Sequence, residues 1–468
     1  MSRRLAADIS WLWAGYAARS LAYLAVIVLL TRSLGPHDFG ELSLFIAFGV
    51  GVTSLAGSWP FWAVPILANR GRRIAEVFLP AVRLAAISTG VSLIIALPVA
   101  WKLLEPSISL LLLLSIYSIT LVSLQGLYGV FQAEGRMRDI AIAQAAERLI
   151  TLGLLLIVLL GTSITVRMAE GTLALSAVAI SVFAYLAAVD RQDLLGGEGE
   201  LDWHTVRRAI GAMGIVNAAS YGVAWVDIYL LALFKPGADV GLYGLAYQIY
   251  TVAVQLAILW MVATLPRHAR AFHAGVAPAD QLPQEHVLMG VRLWASLVGL
   301  GAIVAAVSLT SVFGSNFGDS TQPLMVLLVG ASFLAPYLAV VSVLVAADQG
   351  SLVAKVSVVC VTINIVVDLI LIPPVGLMGP AVATTVQVAV AAVWILYRCL
   401  GRQRLTEIIK VNAPVAFAIA VLAVDPTSAL FLGATVLVSF ITAIPAIRWL
   451  RINGSQLFAG RAESPILR

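Results

Sequence analysis

Charge is scarce in this chain. Only 11% of its 468 residues are Asp, Glu, Lys or Arg, whereas 61% are hydrophobic. A soluble domain carries about 25% charged residues because its surface must be wetted, so a water-soluble globular fold is excluded. Cysteine is nearly absent: Cys360 and Cys399 are the only two. They cannot build a disulfide framework, and both lie in or beside apolar stretches as small core residues do. No Gly-x-x-x-x-Gly-Lys-Ser/Thr loop is present to cradle a nucleotide, which argues against an ATP-driven pump. The five histidines, His37, His204, His268, His273 and His286, lack zinc-ligand spacing, so neither a metal nor a cofactor is expected. The net charge of +5 does not suggest nucleic acid, because the basic residues are scattered between apolar segments. No cleavable signal peptide is expected, since Met1 to Asp8 leads into an apolar stretch long enough to span.

Long apolar runs fill the rest. A helix needs about 20 mostly apolar residues to cross the hydrocarbon core. Windows of that kind predict an all-α polytopic membrane protein with about fourteen spans. The first six cover 9–31, 42–66, 77–101, 107–131, 141–162 and 171–189. A polar linker, Asp190 to His204, separates them from 207–233, 241–264, 286–310, 323–346, 352–372 and 379–398. Two more follow at 412–424 and 428–449, the former shortened by Pro414 and Pro426. Lys and Arg concentrate in cytoplasmic loops. With these spans and a cytoplasmic N-terminus, twenty of them fall inside and only Arg32, Lys102, Arg167 and Lys235 outside. One span more or fewer would erase that bias, so both termini are expected in the cytoplasm.

The chain also repeats itself. At an offset of 201, Ala17-Ala18-Arg19 falls on Ala218-Ala219-Ser220, Leu29-Leu30 on Leu230-Leu231, and Asp38-Phe39-Gly40 on Asp239-Val240-Gly241. At 209, Val82-Arg83-Leu84 falls on Val291-Arg292-Leu293. Such self-similarity marks a transporter-type duplication. The expected domains are an N-terminal lobe, 1–189, a cytoplasmic linker, 190–206, a C-terminal lobe, 207–398, and a two-helix extension with its tail, 399–468. Six spans is an even number, so the lobes enter the membrane the same way round. An axis along the membrane normal would relate them, with a central cavity between.

Two segments carry a resemblance. Arg32-Ser33-Leu34-Gly35-Pro36-His37-Asp38-Phe39-Gly40 resembles the turn after the first helix of polysaccharide flippases. Asn364 to Thr385 resembles their eleventh-to-twelfth helix hairpin, except that Pro380 stands where alanine is usual. With the 6+6+2 layout, the chain is similar to the Wzx-type lipid-linked oligosaccharide flippases of the multidrug/oligosaccharidyl-lipid/polysaccharide (MOP) exporter superfamily. That resemblance implies a bacterial inner-membrane protein moving a glycan repeat unit, carried on undecaprenyl diphosphate, to the outer leaflet. It also implies contact with membrane lipid and with a polysaccharide polymerase and chain-length machinery. The coupling ion, H+ or Na+, is left open. A cation-coupled multidrug exporter and a lipid II flippase are alternatives within the superfamily. A membrane glycosyltransferase or polymerase would need a long external loop, which this chain lacks.

Charges inside the membrane cost at least ~2.5–3.5 kcal/mol on insertion scales and normally face a cavity or a partner. Arg19 lies within the first span, and either contacts an anionic substrate or forms a structural ion pair. Arg148 and Glu147 share span five; as adjacent residues they are not expected to face each other. Arg83 and Arg292 hold matched places near the inner ends of spans three and nine. They either snorkel toward water or flank a mouth that attracts a diphosphate, a task suited to arginine's planar fork. Asp227 in span seven would pair with Arg19 or bind a coupling cation. These six are the candidate cavity residues, and the four arginines outnumber the two acids, as a diphosphate lipid requires. Asp368 and Lys355 read as interfacial, and Asn217, Asn364, Gln248 and Gln387 as ties between helices. Tyr247 and Tyr250 either stack on sugars or pack the core. Pro60, Pro65 and Gly57 are expected to break span two, and Pro373-Pro374 to close span eleven.

Overall fold

The computed structural model describes residues 3–69, 73–104, 107–189, 225–273, 275, 281–347 and 349–458. Every regular element among them is helical, as a chain in lipid requires when its backbone groups have no water to bond. In order these are α1 (Arg3–Val52), a π-helical turn (Thr53–Gly57), α2 (Ser58–Asn69), α3 (Ile74–Leu103), α4 (Ile108–Ala133), α5 (Met137–Gly161) and α6 (Val166–Val189). There follow α7 (Trp225–Phe234), α8 (Gly237–His273), α9 (Gln284–Phe313), a 3-10 turn (Ser315–Ser320), α10 (Thr321–Ala331), α11 (Leu334–Ala346), α12 (Gly350–Val375), α13 (Met378–Val424) and α14 (Ala429–Phe458).

Ten helices among the described residues are long and apolar enough to cross a bilayer, or eleven when α10 and α11, bent by 42°, count as one broken span. This is a polytopic membrane protein. The fourteen expected spans are reconciled with that count by two kinks. In α1, Gly35 takes φ 72° just before Pro36, so one continuous element holds the first two spans. In α13, Gly401 takes φ 79° and again joins two. Positive φ is readily reached only by glycine. The remaining span is α7, whose expected beginning, 207–224, lies outside the described residues, as do the linker and Asn217. The thirteenth span is longer than expected. Helix resumes directly after Gly401 rather than at 412, because Arg402, Arg404, Glu407 and Lys410 depress hydropathy without breaking helix. Span two is interrupted by the π turn that ends at Gly57, where the Thr53 hydroxyl donates to the Gly49 carbonyl at 2.7 Å, whereas Pro60 and Pro65 lie within α2 and do not end it. The Pro373-Pro374 pair sits in the last turn of α12, which ends at Gly376 with φ 60°.

Contacts divide the chain into two compact units, Ser2–Gly244 and Leu245–Arg468. In the first unit, α2 to α6 share an apolar core that includes Val64, Leu67, Phe78, Leu127, Phe131 and Ile180. At the α4–α5 turn, Arg136 pairs with Glu134 and Asp139 and donates to the Ala187 carbonyl. Burial opposes its charge, but the two carboxylates prevail and hold its pKa above the ordinary value. The turn after the first span meets the turn between α7 and α8, the segment that the sequence offset of 201 matches to it. A Cβ on Gly40 would lie 2.2 Å from the Gly237 carbonyl oxygen, and one on Gly241 only 1.8 Å from that of Pro36. In the second unit, α9 and α13 pack against neighbours through small residues. A Cβ on Gly299 would meet the Ser439 hydroxyl at 2.2 Å. Asn412, fully buried in α13, donates to the Ser332 carbonyl at 2.9 Å and ties the broken α10–α11 pair to it.

Candidate functional site

The site is built in the first unit from α1, α4 and α5. Gly15 of α1 lies against Ala141 of α5 so closely that a Cβ there would come within 2.5 Å of the Ala141 Cβ and 2.8 Å of its Cα. The two helices run parallel from this contact. Tyr16, Arg19 and Tyr23 follow at helical spacing along one face of α1, and Glu147, Arg148 and Thr151 lie about the same distance along α5. Tyr117 and Tyr128 are contributed by α4, with Tyr117 stacked on Phe45 at 5.3 Å.

Arg148 is the centre of this cluster, about midway along α5. Its Nη2 lies 3.5 Å from Glu147 Oε1, with the two side chains only 14% and 9% exposed. Its guanidinium sits 5.0 Å from the centre of the Tyr23 ring and is close enough to Tyr117 to act on its hydroxyl electrostatically. Its Nε has no hydrogen-bond partner. Thr151 donates to Ser176 of α6 at 2.7 Å, fixing α5 from behind. Arg19 lies 5.9 Å from the Tyr16 ring and forms no ion pair among the described residues. It is close enough to Tyr23 and Tyr128 to act on them electrostatically. The sequence expectation that Glu147 and Arg148 would point apart is corrected here. Neighbours on a helix diverge at Cβ, but the long arginine side chain curls back, because both charges are cheapest in the same polar pocket.

Asp227 is fully buried and accepts a hydrogen bond from the Tyr243 hydroxyl at 2.7 Å. Arg83 is exposed and continues the stripe of exposed Ile87, Val91 and Ile94 on α3, an arrangement suited to snorkelling. Arg292, half-buried in the second unit, has an Nε without a hydrogen-bond partner. The structure therefore brings Arg19, Glu147 and Arg148 together, and leaves Arg83 apart. Tyr247 and Tyr250 are buried with ring centres 5.6 Å apart and pack the core.

Two features escaped the sequence reading. The tyrosines around Arg148 were signalled only by Tyr16-x-x-Arg19-x-x-x-Tyr23, three residues on one helical face. Asp368, read from the sequence as interfacial, is fully buried among neighbouring helices, one turn from fully buried Asn364 in α12. An acid held inside a membrane helix marks a functional position by default. The Gly15 contact yields a direct expectation. Gly15→Leu forces α1 off α5, separates Arg19 and Tyr23 from Arg148, and reduces transport at least ~10-fold, because misplacement near 1 Å costs that much or more. Cysteine crosslinking between 19 and 148 would report the separation.

A family profile described as "Polysaccharide biosynthesis protein" matches residues 5–272, more than half of the chain. No curated protein matches it. Among solved structures, the lipid II flippase MurJ in an inward closed conformation is similar with a TM-score of 0.61 at 12% identity, over 94% of this chain and 99% of that one. An inward-facing multidrug resistance MATE family transporter of the MOP superfamily gives 0.65 at 17% identity, over 84% and 96%. A MATE protein in complex with MaD3S gives 0.61 at 16% identity, over 87% and 96%. At these identities the likeness is one of fold.

Proposed function

Because the chain belongs to the polysaccharide biosynthesis protein family, and has the fold of MOP-superfamily transporters, we propose that it flips a glycan repeat unit carried on undecaprenyl diphosphate across the inner membrane. The single observation that carries this reading is the Arg148 cluster: two arginines, one carboxylate and four tyrosines on membrane-spanning helices. Guanidinium forks bind phosphate oxygens bidentately, and tyrosine rings offer flat apolar faces to sugars. The polyprenyl tail stays in lipid, while the headgroup crosses by alternating access. The uneven spread of Lys and Arg supports cytoplasmic termini and thus the direction, inner to outer leaflet.

Glu147 has a defined part in this scheme. Without cargo it neutralises Arg148, so the buried cation is never left bare. An arriving diphosphate competes with Glu147 for the guanidinium, and release restores the internal pair. Glu147→Gln removes the competitor. Binding of undecaprenyl diphosphate to the purified protein then tightens by about 10-fold, equivalent to ~1.4 kcal/mol, and turnover slows at release. Titration by intrinsic fluorescence checks this.

A multidrug exporter would favour an acidic, apolar site, whereas this one is net basic. A lipid II flippase shares the diphosphate chemistry and is separated by experiment. The chain is expressed in bacteria lacking their own repeat-unit flippase, over a panel of glycans, and in a strain depleted of its lipid II flippase. Surface polymer restored for at least one glycan supports the reading. Rescue of the lipid II strain alone, or drug resistance alone, overturns it.

A further inference from the structure

The bend in α13 at Gly401 does more than join two spans. The residues after it are amphipathic: Leu405, Ile408 and Asn412 are buried, while Arg402, Thr406 and Lys410 are exposed. Four residues apart, the last three form one stripe along the helix. A concavity of about 490 Å3 opens on this stripe, lined by Arg402, Gln403, Thr406, Glu407 and Lys410. Neither Arg402 nor Lys410 has an ion-pair partner among the described residues. The one carboxylate in the lining, Glu407, is held by the Gln284 side chain of α9, which donates to it. Arg404 donates to the Leu282 carbonyl at 3.3 Å, so the segment is pinned to the start of α9 with its other cations turned outward.

The level of the concavity is marked on both sides. Just before the bend, Trp394 and Tyr397 are exposed, as aromatic side chains are at a membrane–water boundary. Beyond Lys410 the exposed stripe turns apolar, through Phe417 to Val424, as a lipid-facing surface does. Two unpaired cations therefore stand where lipid phosphates lie, directly above an apolar track.

We propose that this concavity binds the phosphate headgroup of an anionic membrane phospholipid. Arg402 and Lys410 hold the phosphate oxygens, Gln403 meets the headgroup hydroxyls, and the acyl chains follow the Phe417 stripe. The site is separate from the Arg148 cluster and does not depend on what the protein transports.

The full-length protein is extracted from bilayers containing phosphatidylglycerol and phosphatidylcholine, and retained lipid is counted by native mass spectrometry. Wild type is expected to keep phosphatidylglycerol in preference to phosphatidylcholine. The Arg402→Gln/Lys410→Gln double variant loses roughly 10-fold of that retention, each single variant about 3-fold, and Lys410→Arg keeps it. Arg398→Gln, exposed but outside the lining, leaves it unchanged. A thermal midpoint within a few degrees of wild type shows that the variants fold; the single variants decide the matter if the double one does not. Equal retention by wild type and variants overturns the proposal. So does displacement of the lipid by millimolar inorganic phosphate, which would mark a site for the free anion.

Discussion

Arg148→Ala lowers glycan-lipid transport by about 100-fold or more, while Arg148→Lys retains a minor fraction because it keeps the charge and loses the fork. Part of the alanine effect is structural. Removing one partner from a buried ion pair leaves the other charge uncompensated, at a cost of about 3–5 kcal/mol, and Glu147 is only 7% exposed. The double variant Glu147→Gln/Arg148→Ala separates the two contributions. It has no orphaned charge, so its thermal stability returns toward that of wild type, yet transport stays lost because no guanidinium remains at Tyr23 and Tyr117. A purely structural role for Arg148 would instead restore transport together with stability. Rates in proteoliposomes and unfolding midpoints in detergent, taken on the same preparations, distinguish the outcomes.

The second large effect is expected at Gly241. A Cβ there falls 1.8 Å from the Pro36 carbonyl oxygen and 3.0 Å from the Gly40 nitrogen. Backbone cannot move aside as a flexible side-chain tip can, so Gly241→Ala pushes apart the two turns that meet there. Overpacking of this kind costs about 1–3 kcal/mol and sometimes more. Gly290→Ala is the control, since nothing lies within 4 Å of the Cβ it adds to α9, and it loses no stability. Thermal unfolding of both variants beside wild type measures the contrast. Equal midpoints for all three would show that the turns are not held together through Gly241.

The helical, polytopic character was legible because hydrophobicity in lipid is a property of long windows, which survive errors at individual residues. Asp38-Phe39-Gly40 and Asp239-Val240-Gly241 match at an offset of 201, and the structure adds a physical reason for the glycines: the two segments lie against each other. Span boundaries failed where helix and hydrophobicity part company. Arg402 to Lys410 is helical but amphipathic, and the glycine bends at 35 and 401 leave helical bonding nearly continuous. The site was half legible. A lone arginine in an apolar run announces itself, so Arg19 and Arg148 were singled out as candidates. Their tyrosine neighbours come from three helices, and no one-dimensional spacing brings Tyr117 to Tyr23. Pairing of Glu147 with Arg148 was missed because helix geometry speaks for Cβ directions and says little about where a long, flexible arginine side chain ends.

The most direct test of the account is a flipping measurement with purified components. The protein is reconstituted without ATP into vesicles holding a fluorescent glycan on undecaprenyl diphosphate, and a membrane-impermeant quencher reports how much label reaches the outer face. The expected result is protein-dependent exposure of the label that Arg148→Ala abolishes and that undecaprenyl monophosphate, lacking the second phosphate, does not reproduce. Exposure at the same rate with wild type, Arg148→Ala and empty vesicles, under an imposed proton or sodium gradient of either direction, would contradict it.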